Sequence, residues 1–347
     1  MSASHLSTRR PLAVGDIAPD CVLPRLDGTT VNLRDDATAG NPIVLVFCPK
    51  SAPSVAQALT EFSARYDAFA AAGARLFAVT PERAEDTVPQ EVPFSILLDR
   101  KHSVFHAFGA TQETTTTIVL RPNHHVIAIL KGAVRTQAFD ALALTQRLAG
   151  ERRPTPMATH PPVLIVPDVL SREDCRRLIT IYDTRGIVLL PHGPGLDHLA
   201  GSDYKMRIPE HSRQDRIDHV IFDKGTSNLL DRRLATRLFP EIAKAFHYQI
   251  TRYERMRIGC YEGHRGGKLH GHRDIDVTTP YRRFAMSLNL NTDEFTGGEL
   301  RFPEFGDQRY RPDSGAAIVF SSALLHEALE VESGRRLVLL AFLFGEH

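Results

Sequence analysis

The sequence lacks the features that mark secreted, membrane-spanning and nucleic-acid-binding proteins. Its four cysteines are scattered over 347 residues without a C-x-x-C pair, which argues against a disulfide framework and favours a reducing compartment. No stretch approaches the roughly 18 uncharged apolar residues that a membrane span needs. The net charge of +1 gives no general attraction to nucleic acid or to an anionic membrane. We therefore expect a cytoplasmic protein without a membrane or nucleic-acid partner.

What is present is an ordinary globular composition in a chain longer than one typical domain. A proline-rich stretch at 151–162, ERRPTPMATHPP, has no apolar periodicity and predicts an extended linker. It follows a predicted helix that would end at Gly150. The sequence therefore predicts two domains, at 1–150 and 163–347.

The first domain alternates apolar strands with helical segments. NPIVLVFCP and ARLFAVTP are continuous apolar runs, as expected of strands covered on both faces. Between them, SVAQALTEFSARYDAFAAAG has helical apolar spacing and ends at Gly73. TTTTIVLRP and HHVIAILKG predict a hairpin near the end of the domain. This pattern indicates an α/β sandwich.

The second domain begins with helices and continues mainly as strands. SREDCRRLITIYDTRG predicts a helix capped by Ser171, and another helix is predicted near 228–246. Short apolar segments follow, with Gly, Pro, Asn and Asp between them: RMRIGCYE, RRFAMSLNLN, GGELRFPEF, GAAIVFSS and RRLVLLAFLF. Such spacing predicts a mainly β barrel or jelly roll behind a helical preface.

One segment of the second domain offers metal ligands at alternate positions. In GGKLHGHRDID, a strand would place His270, His272, Asp274 and Asp276 on one face. Two imidazoles and one carboxylate that leave coordination positions open suit Fe(II) and oxygen. His272 and Asp274 form an H-x-D pair, which has little weight alone in a chain with 16 histidines. Asp276 is expected in a turn, and His270 at the surface or beside the ligands.

A third ligand and a basic residue come from the far end of the domain. His326 follows an apolar strand, and Arg335 and Arg336 begin the buried strand LVLLAF. An unpaired interior guanidinium is costly, and a bound carboxylate would supply its partner through a bidentate pair. Strand alternation lets only one of the two arginines point inward.

Together these elements resemble the prolyl-4-hydroxylase-like branch of the iron- and 2-oxoglutarate-dependent dioxygenases. The resemblance runs over the second domain through HRD, LNLN, GGELRFPEF, GAAIVFSSALLHEALEV and SGRR. It implies a double-stranded β-helix that holds Fe(II) through His272, Asp274 and His326. It also implies that Arg336, with Arg335 as the alternative, grips the far carboxylate of 2-oxoglutarate. Tyr261 resembles a tyrosine that hydrogen-bonds the same carboxylate.

The resemblance implies an oxidative reaction. A substrate C–H bond would be hydroxylated while O2 and 2-oxoglutarate yield succinate and CO2, with ascorbate returning the iron to the ferrous state. A peptidyl substrate, for example a prolyl residue, is the first expectation and a small molecule the second. Nucleic-acid demethylases of this class carry a second arginine six residues after the first. The matching position here is Phe342, which argues against a nucleic-acid substrate.

The first domain resembles the peroxiredoxins of the thioredoxin fold, through VGDIAPDCVLPRLDGTTVNLRD, VLVFCPKSAPS and VPFSILLDRKHSVFHAFGA. Counting from Pro49, the threonine and the attacking cysteine of that family fall on Pro53 and Ala56, and its arginine falls on Thr115. The resemblance therefore implies a domain without peroxidase activity. Homodimerisation, substrate presentation or partner docking would be its remaining roles.

Two other functions stay open from the sequence. A thiol peroxidase could use Cys48 or Cys21 from an unusual position, although each is expected to be a small buried apolar residue. A binding module with two inactive domains is the other alternative, and the intact ligand set with its arginine argues against it. Residues 183–227 are expected to form a connecting loop, since they contain the charged stretch SRQDRIDH, which is typical of a solvated loop. This loop is a candidate lid or substrate-recognition segment over the site.

Overall fold

The computed structural model divides into two compact units, at 1–155 and 156–347. Each unit has buried apolar cores of its own. No helix in the described part of the chain is both long and apolar enough to cross a membrane. Most of the predicted linker at 151–162 lies outside the described residues. Those residues are 11–33, 38, 40–81, 92–151, 160–185, 187–189, 203–207 and 216–346.

The first unit alternates strands and helices along its described residues. Its elements are β1 (Val22–Pro24), β2 (Thr30–Asn32), β3 (Ile43–Phe47), α1 (Ala52–Ser63), α2 (Tyr66–Ala71), β4 (Arg75–Thr80), β5 (Ser95–Leu98), α3 (Ser103–Phe108), β6 (Thr116–Leu120), β7 (Val126–Leu130) and α4 (Val134–Glu151).

One five-stranded sheet organises this unit, in the order β5-β4-β3-β6-β7. β3 pairs in parallel with β4 and antiparallel with β6. All five residues of β3 are buried because an apolar core packs against each face of the sheet. Phe105 of α3 belongs to one core, and Phe62 of α1 belongs to the other. The predicted α/β sandwich is confirmed, including the hairpin of β6 and β7.

The second unit begins with helices and continues mainly as strands. Its elements are β8 (Val163–Val166), α5 (Arg172–Thr184), β9 (Ile187–Leu189), β10 (Tyr204–Arg207), β11 (Ile217–Val220), α6 (Lys224–Arg237), α7 (Phe239–Phe246), β12 (Arg252–Tyr253), β13 (Arg257–Glu262), β14 (Leu269–His272), β15 (Phe284–Asn289), β16 (Phe295–Gly297), β17 (Leu300–Arg301), β18 (Arg309–Tyr310), β19 (Ala317–Ser321), β20 (His326–Ala328) and β21 (Val331–Phe344).

Two sheets of the second unit enclose an apolar interior. The larger has the order β8-β19-β15-β21-β13-β11-β10-β9, and the smaller has the order β14-β20-β17-β18. Side chains from both sheets, among them Leu269, Leu300 and Val338, form one cluster between them. A second cluster packs the outer face of the larger sheet against α5, α6 and α7. The arrangement is a double-stranded β-helix with a helical preface, so the predicted fold class is confirmed.

Three helix predictions differ from the structure at their boundaries. The segment that ends at Gly73 forms two helices, α1 and α2, and Gly73 lies beyond α2 with a left-handed φ of 69°. α4 continues through Gly150, which does not adopt the positive φ of a helix-ending glycine. The helix predicted near 228–246 is interrupted at Leu238. Pro240 causes this break because it lacks an N–H and fits only the first turn of α7.

The segment 183–227 is not simply a connecting loop. It contributes β9, β10 and β11 to the larger sheet, where β11 pairs antiparallel with β13 and places Ile217 opposite Cys260. The loop expectation is therefore wrong for these strands. Residues 190–202 and 208–215, to which most of the lid hypothesis applies, lie outside the described residues.

Candidate metal centre

The H-x-D segment is a strand only as far as His272. β14 pairs antiparallel with β20, and this pairing places His272 directly opposite His326. The register shifts between Leu269 and His272, so the simple alternation that the sequence suggested ends here. Asp274 lies beyond the strand, where its N–H donates to the carbonyl of Ser322 at 2.9 Å. Two strands distant in sequence thus bring the predicted ligands together.

Three predicted ligands converge at this end of the smaller sheet. Oδ1 of Asp274 lies 3.3 Å from Nε2 of His272, and Oδ2 lies 3.4 Å from Nε2 of His326. One ligand atom from each of the three residues lies within 4.8 Å of the others. A metal ion among them would meet two imidazole nitrogens and one carboxylate, with coordination positions left for other molecules.

Both imidazole rings turn Nε2 toward the shared space. Nδ1 of His272 lies 2.9 Å from the carbonyl oxygen of His270, and Nδ1 of His326 lies 3.0 Å from that of Leu324. Since a carbonyl oxygen can only accept, each Nδ1 bears the proton and donates it. Each Nε2 then keeps its lone pair for a metal ion.

Burial and charge favour the protonation states that coordinate a metal. His326 is 4% exposed, and burial lowers the pKa of its ring, which favours the neutral form. Burial acts to raise the pKa of Asp274, but its contacts with His272 and His326 outweigh this effect and hold the pKa below its ordinary value. Neutral imidazoles and an ionised carboxylate are the forms that bind a metal ion. The residues therefore fit the Fe(II) site that the sequence predicts.

A cavity of about 270 Å³ opens beside the three side chains. Arg336 and Tyr261 line it, and Arg336 is 3% exposed. Arg335 lies on the other face of β21, where its Nη1 donates to Asp183 at 2.9 Å. Of the two arginines that the sequence left as alternatives, Arg336 is the one in the cavity.

Arg336 is a buried cation without a carboxylate partner at salt-bridge distance among the described residues. Its Nη2 lies 3.4 Å from Oγ of Ser287 and 3.3 Å from Oδ1 of Asn289, which are long hydrogen bonds to neutral groups. Tyr261 is its partner across the pairing of β13 with β21, and the tyrosine ring centroid lies 5.3 Å from the guanidinium carbon. Burial lowers the pKa of Arg336, although an arginine stays protonated. Its unused donors are what a carboxylate ligand requires.

Arg216 also lies in the cavity, and sequence reasoning missed it. Its Nε and Nη2 donate to the carboxylate of Asp218 at 2.6 and 2.9 Å, and its Nη1 donates to Oη of Tyr261 at 3.1 Å. Gly259 leaves room for it, since a Cβ there would lie 3.0 Å from Cδ of Arg216. The only sequence signal was the charged stretch SRQDRIDH, which by itself is typical of a solvated loop.

The other two residues of the opening motif do not join the ligand set. The side chain of His270 is exposed, and only its carbonyl group takes part in the site. Asp276 caps its own turn by accepting from the N–H groups of Thr278 and Thr279 at 2.7 and 3.0 Å. Asp276 is thus the turn residue that the sequence predicts, at the rim of the cavity.

Both thiols of the first unit, Cys21 and Cys48, are buried, which disfavours peroxide chemistry. Ala56 lies near the start of α1, and Thr115 is buried just before β6. Burial raises the pKa of Cys48 to about 12, and burial also raises the pKa of Cys21 to about 12. A peroxidatic cysteine needs the opposite shift, because the thiolate is the nucleophile. The cysteines that a thiol peroxidase would have to use are therefore buried and protonated.

We expect the native protein to react negligibly with iodoacetamide at pH 8. All four cysteines are buried, and with a pKa near 12 only about one Cys48 thiol in 10⁴ is ionised at that pH. Mass spectrometry before and after denaturation in urea would count the labelled sites. Urea should expose all four cysteines to the reagent and serves as the control. Rapid labelling of Cys48 or Cys21 in the native protein would instead support the thiol peroxidase.

Solved structures similar to parts of the chain fall into two groups. Peroxiredoxin Q from Xanthomonas campestris is 24% identical, covers 37% of this chain and 92% of its own, and has a TM-score of 0.34. A prolyl-4-hydroxylase from Pseudomonas putida is 19% identical, covers 54% and 94%, and has a TM-score of 0.40. The viral collagen prolyl hydroxylase from Paramecium Bursaria Chlorella virus-1 is 17% identical, covers 53% and 96%, and has a TM-score of 0.38.

Family models match each of the two units. The AhpC/TSA family model matches residues 14–129, and the 2OG-Fe(II) oxygenase superfamily model matches residues 252–344. The second match begins at β12 and ends at the last residue of β21, so it includes the three converging side chains. A search of the curated proteins finds no match. The chain therefore joins an N-terminal segment that matches the AhpC/TSA family model to a C-terminal segment that matches the 2OG-Fe(II) oxygenase superfamily model.

Proposed function

We propose that the second unit is an Fe(II)- and 2-oxoglutarate-dependent dioxygenase that hydroxylates a C–H bond of a peptidyl substrate, for example a prolyl residue, or of a small molecule. One observation carries the proposal: His272, Asp274 and His326 converge beside a buried arginine that has no carboxylate partner among the described residues. In the overall reaction, substrate, O2 and 2-oxoglutarate become hydroxylated substrate, succinate and CO2. Ascorbate is the proposed reductant that keeps the iron ferrous.

His272, Asp274 and His326 are the proposed ligands of Fe(II). When bound, the ion supplies oxygen activation at the coordination positions that these residues leave open. The rings are held from behind by carbonyl oxygens, which fixes the direction of each Nε2. Phe320 packs against the ring of His326 at 4.6 Å between centroids and covers this side of the site with an apolar surface.

Arg336 and Tyr261 are the proposed partners of the far carboxylate of 2-oxoglutarate. The planar guanidinium of Arg336 can donate two parallel hydrogen bonds to a carboxylate, and burial strengthens such a pair. Oη of Tyr261 already accepts from Arg216, so its single hydrogen is available for donation to a carboxylate oxygen. The two residues would fix one end of the cosubstrate and leave its keto-acid end toward the metal ligands.

Anaerobic addition of Fe(II) and then 2-oxoglutarate should produce the weak visible charge-transfer band of the chelated complex. Arg336→Leu should raise the 2-oxoglutarate concentration at half-saturation roughly 10- to 100-fold, as loss of a charged hydrogen bond predicts. Iron binding should persist in this variant, because Arg336 is not a ligand. Arg335→Leu is the matched control and should leave the titration unchanged, since Arg335 pairs with Asp183 outside the cavity. A folded, iron-loaded protein without a band would contradict the proposal.

For the first unit, at 1–150, we propose a role without peroxidase chemistry, in homodimerisation, substrate presentation or partner docking. Its buried cysteines and the alanine at the position of the nucleophile support this role. The division between residues 155 and 156 falls within the linker proposed at 151–162, which supports 163–347 as the oxygenase domain. Light scattering of the full chain, coupled to size exclusion, would test dimerisation directly.

A further inference from the structure

We infer that the primary substrate carries a carboxylate group and that Arg257 binds it. The inference rests on the proposed dioxygenase function and concerns the same cavity. Within the described part of the chain, five arginines line this cavity: Arg216, Arg257, Arg273, Arg282 and Arg336. Some of these arginines use their N–H donors on groups of the protein, whereas others have donors that are open to a ligand.

Three of the five arginines are held by groups of the protein. Arg216 uses Nε, Nη1 and Nη2 on Asp218 and Tyr261. Arg282 makes a two-pronged pair with Glu254, with one contact at 2.8 Å, and its Nη1 donates to the carbonyl of Asp274 at 2.9 Å. These two arginines hold the walls of the cavity in place and have few donors left.

Arg273 is likewise engaged, at the rim of the cavity. Its Nη2 donates to Oε1 of Glu304 at 2.7 Å, and its Nη1 donates to the carbonyl of Ala323. This leaves Arg336, whose proposed partner is 2-oxoglutarate, and Arg257.

Arg257 makes no hydrogen bond through its guanidinium among the described residues. Its nearest carboxylate oxygens are Oδ2 of Asp218, 3.6 Å from Nη1, and Oε2 of Glu254, 3.8 Å from Nη2. Both distances exceed the 2.7–3.2 Å range of N–H···O hydrogen bonds. The two carboxylates stabilise the charge of Arg257 while its five donors stay open to a ligand.

Arg257 lies four residues before Tyr261 on β13. Arg257 and Tyr261 share the inward face of β13, and their partners on β21 are Leu340 and Arg336. Four residues along a strand correspond to about 13 Å. A 2-oxoglutarate molecule held at Arg336 would therefore leave Arg257 available to a second molecule.

The charges around Arg257 favour an anion. Arg216, Asp218, Arg257, Glu254 and Arg282 form a continuous chain of ion pairs along one wall, named here the arginine ladder. It contains three guanidinium groups and two carboxylates, so one positive charge is in excess. A cavity walled by protein focuses such a charge on a bound anion.

Binding of Fe(II) and 2-oxoglutarate would leave the excess positive charge of the arginine ladder uncompensated. The two charges of Fe(II) together with Arg336 balance Asp274 and the two carboxylates of 2-oxoglutarate. Asp276, at the rim, is exposed, and its Oδ1 accepts hydrogen bonds from its own turn. Water and salt screen such a rim charge much more than the charges inside the cavity.

The rest of the cavity indicates a small substrate with an apolar part. The ring centroid of Phe342 lies 5.5 Å from Cζ of Arg257 and 3.8 Å from Cζ of Arg282, so an apolar surface adjoins two members of the arginine ladder. The cavity measures about 270 Å³ and must hold 2-oxoglutarate as well, so it has room for only a small part of a substrate, such as a single amino-acid residue. A free or N-acylated amino acid fits this chemistry, as does the C-terminal residue of a peptide.

The test compares acids with their amides. N-acetylated amino acids and the corresponding amides would be titrated into the anaerobic Fe(II)·2-oxoglutarate complex by calorimetry, and then assayed with O2 for succinate and hydroxylated product. A peptide with a free C-terminus and its C-terminal amide form a second arm, which separates a peptide from a free amino acid as the source of the carboxylate. We expect at least one acid to bind ten-fold or more tightly than its amide and to be hydroxylated.

Variants of Arg257 locate the carboxylate. Arg257→Gln should weaken binding of the preferred acid 10- to 100-fold and remove its advantage over the amide, whereas Arg257→Lys should restore part of that advantage. In each variant, the charge-transfer band shows whether Fe(II) and 2-oxoglutarate still bind. Arg265→Gln is the matched control, because Arg265 follows the same strand, pairs with Glu262 and does not line the cavity.

Two outcomes overturn the inference. One is a complex that binds none of the acids more tightly than its amide, and the other is an acid preference that survives Arg257→Gln. In both cases a charge-transfer band would show that the proposed dioxygenase function stands. Absence of the band in the folded parent protein would instead overturn the proposed function itself.

Discussion

Replacing His272 by alanine is expected to lower 2-oxoglutarate-dependent turnover by at least about a hundredfold. The change removes one of two imidazole ligands, and even the loss of a residue that only supports a ligand typically costs 10- to 100-fold in metal affinity or activity. The side chain of His272 is 21% exposed, so its loss should leave the fold intact. Succinate formation and the iron content of the purified variant would measure the effect.

His270→Ala provides the matched control two residues away. His270 belongs to the same strand, but its side chain is exposed and only its carbonyl oxygen supports His272. This variant should keep its iron and its turnover, because the carbonyl group remains. Loss of iron in His270→Ala with retention in His272→Ala would move the ligand to His270 and refute the proposed site.

Arg216→Ala should destabilise the second unit by about 3–5 kcal/mol, the cost of removing one partner from a buried ion pair. The side chain of Asp218 is 1% exposed and would lose both of its short contacts with Arg216. Nη1 of Arg257 would stay 3.6 Å from Oδ2 of Asp218 and would partly compensate its charge. The expected loss of stability is therefore nearer about 3 kcal/mol. Hydrogen exchange of the backbone amides in β11 and β13 would measure the loss without requiring the whole chain to unfold in one step.

Two further variants show whether the loss of stability comes from the uncompensated carboxylate of Asp218 or from the loss of any arginine. Adding Asp218→Ala to Arg216→Ala should recover part of the stability, since no uncompensated carboxylate remains. Arg172→Ala breaks an exposed pair with Asp293 and should cost roughly 0–1 kcal/mol. The predicted role of Arg216 is wrong if Arg216→Ala costs no more stability than Arg172→Ala. It is also wrong if the double variant is no more stable than Arg216→Ala.

The sequence predicted the convergence of His272, Asp274 and His326 because two of them are neighbours and the third follows a clearly apolar strand. The alternation argument for the whole motif was nevertheless wrong beyond His272. There the carbonyl of Asp274 accepts a hydrogen bond from Arg282, and Asp276 caps a turn, so the chain leaves the sheet. Local hydrogen bonds of this kind compete with strand pairing and are not visible in a pattern of polar and apolar residues.

The arginine ladder could not be predicted in the same way. Arg216 and Arg257 enter the cavity because β11 pairs with β13, and that register depends on contacts between distant parts of the chain. In the sequence, Arg216 stands in a charged stretch that is typical of a solvated loop, so no signal places it inside the barrel. Arg336 was different, since an arginine within an apolar strand is a local conflict that a ligand can resolve.

Each imidazole of the proposed metal centre donates Nδ1–H to the carbonyl oxygen two residues before it in the chain. The main chain therefore aims both rings, and it does so whatever side chains occupy positions 270 and 324. Rings that are already fixed lose little conformational entropy when an ion arrives, so more of the coordination free energy appears as affinity. Side chains at positions 270 and 324 are then free to change over evolutionary time, while the geometry of the proposed metal centre is kept.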